Sequence, residues 1–357
     1  MAVAVDTVAP TVIGGVDTHK DVHVAAALDH LGRLLGTAEF PTTAVGYRAL
    51  LAWLAGFGEV ERIGVEGTGA WGAGLSRFLR ASGIVVIEVD RPNRQRRRRR
   101  GKSDATDAES AGRAVLAGDV SGIPKAQDGL VESIRMLRVA QRSAERARTQ
   151  AANQLHSLLD TAPASLREQL RILSLRDLAD RASRFRPGAN LRDPAIAFKA
   201  ALRSLARRWL TLSDEIKMLE RQLAQLVRAV APPPLLAEFG VGPDVAGALL
   251  VAAGDNPERL HSEASFAALC GASPLDASSG RQHRHRLNRG GNREANAALW
   301  RIVMVRLRWN HPETRAYVDR RVAAGKTRRE TIRCLKRYLA RRIWRLLTQA
   351  TRPAAAP

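Results

Sequence analysis

Four carboxylates, Asp17, Glu66, Asp104 and Asp107, offer the clearest chemistry in this sequence. Asp17 closes the apolar run VIGGVD and Glu66 closes a second one, RIGVE. Asp104 and Asp107 stand three apart, which puts them on one face of a helix. If those runs are neighbouring strands and the helix crosses their ends, the four side chains converge. Four acids in one place repel one another unless divalent cations lie between them. Two hard ions about 3.5–4 Å apart are a common device for in-line attack on a phosphodiester. Asp17, Glu66, Asp104 and Asp107 are therefore candidate ligands of Mg²⁺. His19, His23, His283 and His285 are set aside as ligands: the first two flank a hairpin, and the last two sit in a basic stretch where contact with phosphate is the better use.

The elements that must position these acids are legible. From Thr11 to Asp90 the pattern is α/β. Three β-rich runs break at 19–21 and at 29–32, a meander; a helix follows a Thr-rich cap over 43–55; ERIGVEG is a strand, 71–82 a helix, and IVVIEV a buried-type strand. Three strands, helix, strand, helix, strand is the order of the ribonuclease-H-like fold, in which the first and fourth strands are neighbours. Ser103 then opens a helix whose first turn carries acids, where the helix dipole favours them. Trp53, Trp71 and Trp300 fall on apolar helix faces and are expected in the core.

A helical middle follows. Residues 130–159 carry a partial heptad, Leu130, Ile134, Leu137, Ala144, Ala151, Leu155 and Leu158, interrupted at Gln141 and Arg148. Leu205, Trp209, Leu212, Ile216, Leu219, Leu223 and Leu226 form an unbroken 4-3 seam, compatible with an antiparallel pair inside the chain or with a coiled coil between chains. Residues 160–200, with three prolines, join the two helices. After Pro232-Pro233-Pro234, the segment LLAEFGVGPDVAGALLVAAGD resembles a helix-hairpin-helix. In it Gly240 and Gly242 would turn the chain and present backbone amides to a phosphate. The expected division is a catalytic domain at 1–120, a helical coiled-coil linker at 121–231, a mainly helical domain at 232–350 and a disordered tail at 351–357.

Charge points to a polyanion. The 357 residues hold 57 Lys+Arg against 35 Asp+Glu, a formal charge of +22. It is concentrated: residues 91–102 contribute +8 and residues 281–357 contribute +17, leaving a slightly acidic remainder. Two basic segments on a near-neutral body are the footprint of a nucleic-acid binder. The candidate contacts are Asn93, Arg94, Arg96, Arg97, Arg98, Arg99, Arg100 and Lys102 in the first segment, and Arg281, Arg284, Arg286, Arg289 and Asn292 in the second. Whether the first run holds RNA or DNA is open. The two cysteines, Cys270 and Cys334, have no ligand or disulfide spacing, and no apolar stretch is long enough to span a membrane. A cytoplasmic, nucleoid-associated protein without a membrane partner is expected.

The segments VIGGVDTHKD, VEGTGAW and KSDATDAESAGR, in that order and spacing, resemble the DEDD, RuvC-like transposases of the insertion-sequence 110 type, a group that includes Piv-type DNA invertases. FGVGPDVAGALLVAAGD and FAALCGASPLDASSGRQHRHRLNRGGNREANAALW resemble the second domain of that family. The resemblance implies a recombinase of donor and target DNA. It implies a serine nucleophile directly before a glycine, hence Ser279, with Ser278 as the fallback. It also implies a structured non-coding guide RNA and assembly as a homodimer or homotetramer. Two other readings use parts of the same sequence. One is a RuvC-type structure-selective endonuclease without a covalent step; the other is a non-enzymatic basic nucleic-acid-binding protein.

Overall fold

A computed structural model describes residues 10–89, 103–120, 122–280 and 285–349. The basic run at 91–102, together with Arg281, His283 and Arg284, lies outside the described residues. The chain divides into two compact units, residues 1–129 with 253–262 and residues 130–252 with 263–357.

The first unit is built on one sheet of five strands, β1 (Thr11–Thr18), β2 (Val22–Asp29), β3 (Leu34–Pro41), β4 (Glu59–Glu66) and β5 (Val85–Val89), in the order β3-β2-β1-β4-β5. The first three form the expected antiparallel meander. Strands β1, β4 and β5 run parallel, connected through α1 (Ala44–Ala55) and α2 (Ala73–Ala81). Strands β1 and β2 are buried along nearly their whole length, which explains why they read as apolar runs rather than alternating ones. On one side of the sheet Val12, Val16, Ile63 and Val65 pack with Leu50 and Leu54 of α1 and Leu75 and Leu79 of α2. On the other, Ile13, Leu28 and Val89 pack with Ala111 and Val115 of α3 (Asp104–Leu116). Residues 253–262 belong to this unit through Asn256: its Nδ2 donates to the Pro124 carbonyl (3.0 Å), and its Oδ1 accepts the Ala126 N–H (2.9 Å).

Helix α2 starts two residues later than expected, because residues 67–72 form a turn closed by the Gly72 N–H on the Gly67 carbonyl (3.1 Å). Trp71 therefore precedes the helix and is 57% exposed, not core; only Trp53 of the three is partly buried, between Phe40 and Phe57. Trp300 is also exposed, off the buried stripe Ala295, Ala298, Leu299, Ile302 and Val303.

The second unit is mostly helical. Its long helices α4 (Leu130–Asp160) and α7 (Pro194–Val230) pack against each other antiparallel: Leu155 and Leu159 near the end of α4 meet Leu202 and Ala206 near the start of α7. Ile216, Leu219 and Leu223 of the 4-3 seam are buried within the chain. Toward both ends the buried stripe moves one position off that seam, to Ala206 and Val227, and Leu205 and Leu226 are half-buried. In α4, Leu130 is exposed, whereas Gln141, read as an interruption, is buried. The segment expected only to join the helices folds as α5 (Ala164–Leu170) and α6 (Leu175–Ser183), whose Leu170, Leu178 and Ala182 close the core at that tip. Burying each such leucine contributes about 1.5–3 kcal/mol.

The rest of this unit comprises α8 (Pro233–Leu236), α9 (Pro243–Ala253), α10 (Glu263–Leu269), the two-residue strands β6 (Leu275–Asp276) and β7 (His285–Arg286), α11 (Arg293–Arg308), α12 (Pro312–Ala323) and α13 (Arg328–Gln349). Among the described residues no helix is long and apolar enough to cross a membrane.

Candidate active site

Asp17 is the penultimate residue of β1 and Glu66 the last of β4. The pairing Val16↔Val65 sets them side by side in adjacent parallel strands. Both lie on the sheet face covered by α3, as the glycines two residues before each show. A Cβ on Gly15 would overlap the Ala108 carbonyl and the Gly112 amide, and one on Gly64 would crowd the Ala111 carbonyl and Val115. Helix backbone can approach the sheet this closely only where strand side chains are missing. The Thr18 hydroxyl donates to the Glu66 carbonyl (2.8 Å) and ties the two strand ends together.

Helix α3 begins at Asp104 because Ser103 caps it, its Oγ accepting the Thr106 N–H (3.2 Å). That start sets Asp104 at the rim and Asp107 one turn further in, where it is 2% exposed. Burial, and the nearby carboxylates of Asp107 and Asp104, push the Asp17 carboxyl above its ordinary range; His19 works against the shift. The structure therefore brings Asp17, Asp104 and Asp107 within electrostatic reach of one another, with Glu66 on the neighbouring strand.

His19, set aside in the sequence reading, belongs to this cluster. Its Nε2 lies 3.2 Å from Asp17 Oδ2 and 3.4 Å from Asp104 Oδ2, and donor atoms of the three residues all lie within 4.8 Å of one another. Oxygen and imidazole donors this close, around a buried carboxylate crowded by other acids, fit a divalent cation. Trp71, also missed, stands beside it, its ring centroid 6.4 Å from that of His19. The D-x-H spacing and the VEGTGAW segment were the available signals. His23 is separate: it is buried and stacks on Tyr47, with centroids 5.8 Å apart.

In the second unit Ser279 is exposed on the loop between β6 and β7, next to Gly280 with φ +55°. Ser278 turns back on Asp276, donating from its amide (2.9 Å) and its hydroxyl (2.5 Å), and these bonds hold the Asp276 carboxyl below its usual range. Arg286 and Arg289 are exposed. Asn292 caps α11, its Oδ1 accepting the Glu294 and Ala295 N–H groups (2.9 and 3.0 Å). Gly240 takes φ +88°, and a Cβ on Gly242 would meet nothing within 4 Å. The turn they form is clamped by ion pairs. Buried Arg138 holds the Asp244 carboxylate (2.6 Å) and carbonyl (2.9 Å), Arg301 binds the same carboxylate, and Arg306 reaches Glu238 (2.7 Å) and the Phe239 carbonyl (3.0 Å).

Two family models match the chain. The DEDD-type model described as a transposase covers residues 14–163, the stretch containing all four acids, and the model of the transposase IS116/IS110/IS902 family covers residues 235–319, containing Ser279. Together they span well over half of the sequence. The chain belongs to the IS110-type transposases. No curated protein matches it. As a member of this family the transposase is an enzyme of DNA recombination, and its DEDD-type domain goes with dependence on a divalent metal.

Proposed function

We propose that this transposase cuts and rejoins DNA of an insertion sequence with two chemical elements: the acids Asp17, Glu66, Asp104 and Asp107 of a ribonuclease-H-like, RuvC-like domain, and a nucleophilic Ser279. The observation that carries the reading is the convergence of Asp17, Asp104 and Asp107 at the C-terminal end of the central strand β1, where burial and the neighbouring acids make the Asp17 carboxylate costly to keep ionised. Asp17, Glu66, Asp104 and Asp107 would hold Mg²⁺, which when bound stabilises negative charge on the phosphate and favours the alkoxide of an attacking hydroxyl.

Ser279 supplies that hydroxyl. Its oxygen bonds to phosphorus as the bond to one deoxyribose oxygen breaks; the serine proton leaves to solvent or a base, and the displaced oxygen takes one up as a free hydroxyl. The phosphoserine ester keeps the energy of the cut bond, so a second DNA hydroxyl can attack it and reseal the strand. Ser279 is preferred to Ser278 because the latter's hydroxyl is already given to Asp276. A guide RNA pairing with donor and target DNA, and a homodimer or homotetramer, complete the proposal. The part of the α7 seam buried within the chain is not the surface for that assembly.

The test is to incubate the transposase, Mg²⁺ and its own element with Asp17→Ala, Ser279→Ala and Ser278→Ala in parallel. Loss of a covalent protein–DNA species and of strand exchange in the first two, but not the third, supports the reading. Cutting retained in Ser279→Ala points instead to a water-using endonuclease. Strand exchange retained in Asp17→Ala refutes the metal role.

A further inference from the structure

The second unit contains a strongly cationic concavity. A cleft of about 680 Å³ lies where the base of the β6–β7 hairpin meets α12 and α13. Seven Lys or Arg side chains line it against one carboxylate, that of Glu330. Glu330 is turned to the start of α13, accepting from the Thr327 amide (2.9 Å) and hydroxyl (2.8 Å). Glu263 neutralises part of Arg337 and Arg341, at 3.4 and 2.5 Å. Arg286, Arg321 and Arg333 make no ion pair within 4 Å among the described residues, although Arg333 lies within electrostatic reach of Glu330. Nε of Arg321 and Nη1 of Arg337 are shielded from solvent without an acceptor. Arg286 and Arg333 are exposed, so their guanidinium groups are open to charge-assisted hydrogen bonds with an entering phosphate oxygen.

The wall also carries aromatic surface. The rings of Tyr317 and Tyr338 meet edge to face at 5.6 Å, and Tyr338 is 53% exposed. A cleft that offers guanidinium groups for phosphate and an open phenol face for a base suits an unpaired nucleic-acid strand, because the bases of a duplex are already stacked on each other. Its position matters too. Pro274, His285 and Arg286 line it at the foot of the hairpin. Ser279 lies five residues beyond Pro274, a reach of at most roughly 17 Å of chain.

We propose that this cleft binds the sugar-phosphate backbone and one base of a single-stranded nucleic acid, through Arg286, Arg321 and Arg333 and the ring of Tyr338. Only the idea that the strand is thereby delivered to Ser279 rests on the recombinase reading. The binding itself needs neither metal nor cleavage.

Binding is therefore measured in EDTA, by anisotropy of a labelled 12-nucleotide single strand as DNA and as RNA and of the matching blunt duplex, using the full chain. Single strands should bind better than duplex. Tyr338→Ala should weaken them roughly tenfold to a hundredfold, as loss of one stacked base does. Arg333→Ala should lower the salt slope by about 0.7 log units for the lost phosphate contact, and Arg333→Lys should restore it. Tighter DNA assigns the cleft to the strand being exchanged, and tighter RNA to a structured RNA; either supports it. Unchanged affinity in Tyr338→Ala together with an unchanged slope in Arg333→Ala, in variants whose melting temperature matches the wild type, overturns the proposal. Should those variants unfold, photocrosslinking of a bromodeoxyuridine strand to the wild type decides. Adducts on α12 or α13 sustain the cleft, and adducts confined to other elements overturn it. A transposase that binds strands here yet forms no Ser279 adduct would refute the nucleophile and leave the cleft standing.

Discussion

The Nε2 atom of His19 lies 3.2 Å from Oδ2 of Asp17, just beyond the end of the same strand. The same nitrogen lies 3.4 Å from Asp104, so an imidazole stands between two of the acids proposed as metal ligands.

Asp17→Asn removes a carboxylate that burial and the neighbouring acids disfavour more than His19 favours it, so in EDTA the variant should melt at or above the wild-type temperature. It should also lose any upward shift of melting temperature on adding Mg²⁺ or Mn²⁺, since ligand-linked stabilisation requires the site. A full metal-induced shift in Asp17→Asn would remove Asp17 from the metal site.

Gly15 and Gly14 are neighbours on opposite faces of β1, and alanine should separate them sharply. At Gly15 the new methyl meets helix backbone, which cannot move without lifting α3 and Asp107 from the sheet; at Gly14 it meets the flexible ends of Ile63 and Leu54 at 3.0 Å. Gly15→Ala should cost at least about 1–3 kcal/mol and Gly14→Ala less, by chemical denaturation. Gly15→Ala should also lose the metal-induced shift.

Trp71 is more than half exposed beside His19, so Trp71→Ala should leave the melting temperature within a degree or two of wild type. If its indole stacks on a base of the bound DNA, affinity for single-stranded ends should fall by about 1–3 kcal/mol, and Trp71→Phe should recover much of it. Equal affinity in all three proteins would make Trp71 a bystander.

Burial opposes ionisation of Asp244, but Arg138 and Arg301 outweigh it and hold the carboxyl below its ordinary value. A carboxylate with a lowered folded-state pKa contributes stability that is fully present above the unfolded value, near 3.9, and is lost as pH falls through the folded value. Denaturant midpoints of the wild type should therefore drop as pH falls below about 4, and Asp244→Asn should show a shallower acid limb. Arg138→Met should destabilise at neutral pH, because Asp244 then loses its buried partner.

The strand and helix order was legible because each run is buried on a face with its own period: VIGGV is apolar throughout because both faces of β1 are covered, and the α7 stripe repeats every three to four residues. The four acids were legible because each closes such a run or opens a capped helix. Gln141 was misread, since a polar residue within a heptad looks like an interruption until its burial is known, and Trp71 was misread because helix periodicity ran two residues past the turn that precedes α2.

Local features follow from the linear order of residues: which segments are strands and helices, where α3 is capped, where cations are concentrated, and the motifs that mark the family. Which side chains meet is fixed by packing. The β1–β4 register sets Asp17 beside Glu66, the glycines at 15 and 64 let α3 bring Asp107 inward, and the β1–β2 turn carries His19 to Asp17 and Asp104. Arginines and tyrosines of three elements, β7, α12 and α13, likewise line one cleft only in the folded chain. Periodicity reports the face a residue occupies. Convergence depends on register and on backbone distance between elements, which are properties of the packed chain.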